Sequence, residues 1–489
     1  MKARKIVLIS IDTLRADRLS CCGYGRETTP SLDSLAKESL VFKNAFSACS
    51  YTLPSHASML TGKYPRGLSV FYGQGRGRLD SDRDIMVQEV LRESGYKTAA
   101  FVSSMVLKRA MGLRGGFDVY DDEMTGAEAN RPGDLIRKGE ETNAQALKWI
   151  RENASDDFFM FVHYFDAHGP YVNPERVASL FTPEMYGDRP IPLDMVANGK
   201  PGGIPEYQLL SARRDETGRI TGCERDARVY LAQYDAGVRN ADYLAGELLR
   251  ELRRLDIFDE AAVIVTSDHG EAMGEGGVWF FHGLTVTPEQ AHVPLIVKPP
   301  KGGQAGKTAG ECVSGADIAP TILRMAGLDP SILDPDGVSL LDGPGAEGRI
   351  VLCENEWQRA VIRDGLCLLR EKKNIRDGFT YYFDSKELCG GVRVLEVGGG
   401  RELDISDPRA ADLLAYSRVL EKIVDPLEVS IRVSHNKIER LESELDAARK
   451  EGARLGEHVG TLLESNSWKL TAPLRALTGM IRKTTKGRK

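Results

Sequence analysis

Three short stretches carry the residue types from which metal-assisted ester chemistry can be built. In CSYTLPSHASMLTG, residues 49–62, Thr52 stands just before Pro54 and heads a run that predicts a helix. A hydroxyl there serves as a helix cap, as would Ser55, with Pro54 near the first turn. The same place faces the positive end of the helix dipole, where an anionic ester binds. Coordination to a divalent cation would lower the hydroxyl pKa and make Thr52 an alkoxide nucleophile. Cys49, three residues earlier, is a second candidate nucleophile. Asp12 follows the run KIVLISI, and Asp268 and His269 follow AAVIVTS in the stretch DHGE. Singly, such residues cap helices or make turns. Together they are two carboxylates and an imidazole, able to hold one divalent ion. The mixed oxygen and nitrogen set favours Mn²⁺ or Zn²⁺ over Ca²⁺, with Mg²⁺ and Ca²⁺ still admissible.

A parallel sheet is what would bring these residues together. KIVLISI (5–11), KTAAFV (97–102), FFMFVHYF (158–165), AAVIVTS (261–267) and VPLIV (293–297) are short, continuous apolar runs and read as buried parallel strands. Helical patterns separate them, among them TTPSLDSLAKES, MVQEVLRESG, ETNAQALKWIREN and the long run from Arg228 to Leu255. Alternating strands and helices predict an α/β fold with a mostly parallel central sheet, whose ligands bind beyond the carboxyl ends of the strands. Asp166 and His168, in DAHGPY, stand at a third such strand end. Residues 173–225, rich in Pro, Gly and Arg, are expected to form a long loop or cap over the site. YGQGRGR (72–78) lacks a following helix and reads as a surface loop rather than a phosphate cradle.

The expected organisation is a catalytic core over residues 1–345, a smaller strand-rich subdomain over 346–410, a helical coiled-coil segment over 411–464 and a basic amphipathic tail over 465–489. The coiled coil rests on a seam in steps of four and three from Leu427 to Leu462, interrupted at Ser434 and Gly452, and implies self-association. Seven basic residues and no acid follow Glu464, interleaved with Trp468, Leu470, Leu474, Leu477, Met480 and Ile481. That composition suits peripheral contact with an anionic membrane, although Pro473 shortens any helix there. The net charge of −6 argues against a general nucleic-acid binder. Hydrophobic content of 42% and charged content of 28% fit a soluble globular chain of 489 residues. The eight cysteines include no C-x-x-C pair and are expected to be free thiols. No apolar run reaches spanning length, and the one in MKARKIVLISID is too short for a secretory signal, so the expected location is cytoplasmic, at the inner face of the membrane if the tail binds it.

The stretches VLISIDTLRADRLSCCGYG, TTPSLDSLAKESLVFKNAFS, TLPSHASMLTGKYP, HYFDAHGPY, VIVTSDHGEAMGE, VPLIVKPP and DIAPTILRMAG occur in this order. So arranged, the chain resembles the sulfatase family of the alkaline phosphatase superfamily over roughly residues 4–408, ending in RELDISDP. The resemblance implies that Asp12, Thr52, Asp268 and His269 hold a metal and that Thr52 is the nucleophile. It implies that His168, in HGPY, contacts the ester or its leaving group, and that His282, in FFHGLT, binds the anionic group. There are departures. Sulfatases place Cys or Ser where Thr52 stands and convert it to formylglycine, which threonine cannot become; Cys49 lies out of register. His56 stands in place of the family's arginine and is a candidate substrate contact, and Thr13 replaces a frequent second aspartate. The resulting set resembles the single-metal site of threonine-nucleophile relatives, the phosphoglycerol and phosphoethanolamine transferases and the nucleotide pyrophosphatases, although the second metal set of the pyrophosphatases is not evident. His163 and His292 lie within apolar runs and are expected to be core residues.

Hydrolysis of phosphate or sulfate esters through a covalent Thr52 ester is the reading that follows. Phosphate mono- or diesters are favoured, because a sulfo-threonine lacks the formylglycine elimination route. A transferase is the second reading, in which the hydroxyl of a surface polysaccharide or lipid-linked glycan replaces water; SNSWKLTAPLRAL near the end resembles segments of enzymes that build bacterial surface polysaccharides. A non-catalytic coiled-coil scaffold is the third.

Overall fold

The computed structural model describes residues 2–70, 78–196, 202–217, 219–303, 305–343, 349–355, 358–371, 392–397, 402–403, 407, 409, 411–420 and 450. By its internal contacts the chain divides into one unit, Met1–Glu421, and a second, Lys422–Lys489. The coiled-coil seam, the basic tail and nearly all of YGQGRGR lie outside the described residues.

The first unit is built on an eight-stranded sheet. In chain order its strands are β1 (Lys5–Ile11), β2 (Leu40–Phe46), β3 (Lys97–Phe101), β4 (Val119–Asp121), β5 (Phe158–Tyr164), β6 (Ala261–Thr266), β7 (Leu295–Lys298) and β8 (Lys307–Ser314). Their spatial order is β8-β2-β7-β6-β1-β5-β3-β4. β1 is central, parallel to β6 on one side and to β5 on the other. Every residue of β1, β5 and β6 is buried, which is why these runs are apolar throughout instead of alternating.

Helices cover both faces. Val7, Ile9 and Ile11 pack with α1 (Pro30–Ala36), α4 (Gly139–Asn153) and α5 (Ala227–Arg254) through residues such as Leu32, Ile150 and Leu248. Ile6 and Leu8 point the other way, onto α2 (Thr52–Thr61), α3 (Val87–Glu93) and α6 (Ile318–Met325), through Leu60, Leu91 and Ile322. Burying one such Leu or Ile stabilises the fold by about 1.5–3 kcal/mol. This is the mostly parallel α/β sandwich expected.

One strand departs from expectation. VPLIV does form a strand, but β7 is antiparallel to both β6 and β2. All four of its residues are buried, so its side-chain pattern carries no direction. Topology supplies it: the chain leaves β6 at its carboxyl end, builds the loops of residues 267–294 there, and re-enters the sheet from that same end.

A second, antiparallel sheet of five strands runs from Val351 to Leu403. Its core residues Val351, Cys353, Ala360 and Ile362 pack on Phe46, Val286 and Ala291 at the edge of the main sheet, matching the smaller strand-rich region read from the sequence. The described residues of 173–225 carry short pieces only, including the helical turns Glu175–Ala178 and Pro183–Tyr186 and the paired segments Asp194–Val196 and Gly203–Pro205.

Candidate functional site

β1 and β6 end side by side, Ser10 opposite Thr266, so the residues that follow them must meet. Asp12 is fixed by its backbone N–H, which donates to Tyr164 O across to β5 at 2.9 Å. Asp268 is fixed by Oδ1, which accepts the backbone N–H groups of Thr13 (3.2 Å) and His269 (2.9 Å). Both residues are 0% exposed. Their remaining oxygens, Oδ1 and Oδ2 of Asp12 and Oδ2 of Asp268, have no hydrogen-bond partner. His269 donates from Nδ1 to Gly270 O at 3.0 Å, which leaves the Nε2 lone pair facing the carboxylates, 3.4 Å from Asp268 Oδ2 and 4.0 Å from Asp12 Oδ1.

Thr52 is the first residue of α2, after Tyr51 in the N-cap position. Its Oγ1 lies 3.3 Å from His269 Nε2, so the nucleophile candidate joins the two carboxylates and the imidazole as the sequence implied. α2 is tied to the Asp268 loop by a clamp: the hydroxyls of Ser55 (2.6 Å) and Ser47 both donate to Asp268 O.

Burial of two carboxylates at one spot has an electrostatic signature. Burial, and then the charge of Asp268, push the Asp12 carboxyl far above its usual range. Burial also works against ionised Asp268, but His269, His56 and His163 pull it down to about 2. A buried carboxylate pair with three unmet oxygens and a facing imidazole lone pair is what a divalent cation neutralises and satisfies. The donor set Asp12, Asp268, His269 and Thr52 therefore fits the cation that the sequence implied.

Thr13 stands where the sequence departs from the family's frequent second aspartate. It adopts a left-handed φ of 57°, rare for a β-branched residue, and turns its hydroxyl away to Ala167 O at 2.8 Å. Its contribution is its backbone N–H on Asp268.

The other histidines fall into two groups. His168 and His282 come together, ring centroids 5.1 Å apart, with His282 also 4.4 Å from His269. His168 donates from Nδ1 to Gly169 O and stacks on Phe165 at 4.2 Å, and burial holds its pKa well below the usual range. His282 Nδ1 is 3.0 Å from Glu271 Oε1, and Tyr171 donates to Glu271 Oε2 at 3.1 Å. Glu271 is thus a site residue that the DHGE stretch displayed but to which sequence reasoning gave no role. Gln208, from the 173–225 region, closes against Gly169.

His56 lies on the far side of Thr52. Its Nδ1–H donates to Thr52 O at 2.7 Å and its Nε2 accepts from Ser10 Oγ at 2.9 Å, and burial holds its pKa down at about 4. It supports the nucleophile's helix turn from within and is 0% exposed. Cys49 is buried as well. None of the seven described cysteines is in a disulfide.

His163 corrects one expectation. It is buried on β5, as a core residue would be, but it faces the site: Nε2 lies 3.3 Å from Asp12 Oδ2, and its ring sits 5.1 Å from that of His56. The available signal was a polar residue in an apolar strand, opposite another, Ser10. His292, in contrast, is structural, with Nε2 on Lys43 O at 2.7 Å.

A comparison of the sequence with family profiles matches Sulfatase over residues 4–328. Among curated proteins, the chain is 27% identical to the ulvan-active sulfatase of Formosa agariphila over 68% of this chain and 63% of that one. It is 26% identical to the iduronate 2-sulfatase of Homo sapiens over 71% and 66%. The chain thus spans somewhat under two thirds of the length of these relatives. Among solved structures, the phosphonate monoester hydrolase of Agrobacterium radiobacter superposes with a TM-score of 0.60 at 20% identity, covering 88% of this chain and 96% of that one. A structure determined in complex with its substrate D-glucosamine-2-N,6-O-disulfate gives a TM-score of 0.66 at 19% identity, covering 88% and 99%. The motif order, the α/β fold and the profile match over most of the core agree: the chain belongs to the sulfatase family.

Proposed function

We propose that the chain is a metal-dependent hydrolase of anionic esters that works through Thr52. The observation that carries this is the Thr52 hydroxyl at a helix start, 3.3 Å from His269 Nε2 and beside carboxylate oxygens that have no other partner. A divalent cation held by Asp12, Asp268, His269 and Thr52 would supply Lewis acidity that lowers the Thr52 pKa and offsets charge on the ester.

The chain's own residues do the rest. Thr52 Oγ1 forms a bond to phosphorus (or sulfur) as the bond to the leaving oxygen breaks. The proton given up by the hydroxyl balances the one the leaving alcohol gains, and His168 passes it on. His282, oriented by Glu271, holds the non-bridging oxygens, and the N-terminus of α2 adds its dipole. Water then adds to the Thr52 ester, the bond to Oγ1 breaks and the hydroxyl is restored. His56 keeps the first turn of α2 in place and does not touch the ester.

Phosphate mono- or diesters are the favoured substrates, since hydrolysis of a phospho-threonine needs no formylglycine. The names of the relatives, active on ulvan or on iduronate 2-sulfate, support a glycan as the group that carries the ester. Self-association through residues 427–462, contact of the tail with an anionic membrane and a cytoplasmic location are parts of the same proposal that rest on sequence alone. Among the described residues, no helix is long and apolar enough to cross a membrane.

The test is a turnover panel of aryl sulfates, phosphate monoesters, phosphate diesters and phosphonate monoesters with Mn²⁺, Zn²⁺, Mg²⁺ or Ca²⁺ added. Phosphate ester turnover that disappears in Thr52→Ala is expected. A sulfatase rate equal to the phosphate rates overturns the substrate choice. Turnover that rises only when a glycan acceptor is added points to the transferase.

A further inference from the structure

We propose that His163 is a further nitrogen ligand of the cation; this rests on the metal-dependent reading above. The first ground is that His163 is unsatisfied where every other histidine of the site is engaged. His56, His168, His269 and His282 each use at least one ring nitrogen on a carbonyl, hydroxyl or carboxylate. His163 is 0% exposed, and neither Nδ1 nor Nε2 has a hydrogen-bond partner. An imidazole buried on a central strand with neither nitrogen hydrogen-bonded has a lone pair to offer an ion.

The second ground is spacing. Two donor atoms that share one ion at about 2.0–2.2 Å, roughly 90–110° apart, are separated by about 3.0–3.5 Å. His163 Nε2 is 3.3 Å from Asp12 Oδ2. That repeats the separations between Thr52 Oγ1 and His269 Nε2 (3.3 Å) and between Asp268 Oδ2 and His269 Nε2 (3.4 Å).

The third ground is that the site offers two overlapping donor groups. Asp12, Asp268 and His269 form one, and His56, His163 and Asp268 form the other, with the donor atoms of each within 4.8 Å of one another. His56 drops out of the second because both its nitrogens are taken, by Thr52 O and by Ser10 Oγ. What remains is His163 with Asp268 in the second group, linked to the first through its 3.3 Å contact with Asp12 Oδ2. His163 reaches them from the sheet and His269 from the loop after β6, so the imidazoles approach from different elements. A second nitrogen moves the site further from Mg²⁺ and Ca²⁺ and toward Mn²⁺, Zn²⁺ or Fe²⁺.

The experiment loads the full-length protein with Mn²⁺ and counts coordinated imidazole nitrogens by pulsed electron paramagnetic resonance. Mn²⁺ affinity is measured alongside by calorimetry. Two imidazoles are expected in the wild type, and one in His163→Gln with Mn²⁺ bound at least about tenfold more weakly. If His163→Gln fails to fold, His269→Gln serves in its place and should retain one imidazole rather than none. A single imidazole in the wild type overturns the inference and leaves the metal reading standing, with His163 then a hydrogen-bond donor to Asp12. Failure to bind any divalent ion overturns both.

Discussion

The two sides of the site are held by different means. On the metal side, Asp12, Asp268 and His269 follow directly from neighbouring strands. Their separations are set by strand register and by backbone hydrogen bonds, such as Asp12 N–H to Tyr164 O at 2.9 Å. On the side proposed to take the leaving group, His168 and His282 stand on loops. They are held by side chains and single carbonyls: Glu271 on His282, Tyr171 on Glu271, Phe165 on His168. The first arrangement is fixed by the sheet that makes the fold, so the proposed cation site is preorganised. The second can change with loop sequence and leave the sheet intact. In a family whose members act on different esters, substrate choice belongs on the second side.

Substitutions should divide along the same line. The largest effect is expected from Asp268→Asn, which should abolish both Mn²⁺ binding and turnover, read by calorimetry and the phosphate ester assay. Thr52→Ala should lower turnover at least about a thousandfold while Mn²⁺ affinity changes less than about tenfold. Loss of the ion with Thr52→Ala alone would mean that the hydroxyl is a dominant ligand. Glu271→Gln comes next. It should lower kcat by about 10²-fold through His282 and leave Mn²⁺ affinity unchanged; a Glu271→Gln protein that arrives without its ion breaks the comparison.

A smaller effect concerns pH. Burial, against the pull of Asp268, holds the His56 imidazole down at about 4 from an ordinary 6.5, so the metal-free protein takes up a proton when it unfolds between those values. The His56 contribution to stability should therefore fall as pH drops from 6.5 toward 4, by at most about 3 kcal/mol, while buried carboxyls such as Asp12, held above their usual range, act in the opposite direction. Urea denaturation at several pH values should show the wild type losing stability relative to His56→Gln as pH drops through that window. The residual slope belongs in part to His163, which burial also holds at about 4. Smallest of all, Cys49→Ala should leave turnover within about twofold of wild type. A large loss there would move the nucleophile out of the register assigned to Thr52.

The metal side was the more legible in the sequence, for the same reason that it is the more rigid. A continuous apolar run that stops at Asp12 or Asp268 announces a buried strand and marks its end, and strand ends are where α/β sheets place ligands. The position of Thr52 was legible from its motif. What escaped depended on register or direction. The polar His163 inside FFMFVHYF looked like core, because the pairing that sets it opposite Ser10 and beneath Asp12 is a property of two strands about 150 residues apart. β7 was legible as a strand but not as an antiparallel one, because a run buried on both faces carries no direction. Glu271 sat in plain view beside His269, but its role depends on His282 returning to it from a separate loop.

The pair of serine hydroxyls on Asp268 O has a mechanical consequence. Ser47 and Ser55 lie on either side of Thr52 in the chain, and both grip Asp268, a proposed metal ligand more than two hundred positions away. The start of α2 and the loop after β6 are thereby riveted into one body, and any swing of the overlying loops leaves the Thr52-to-His269 gap untouched. When that body gives way, on heating or in denaturant, nucleophile and ligands should part in a single step. Loss of activity and release of the ion will then follow the same melting curve.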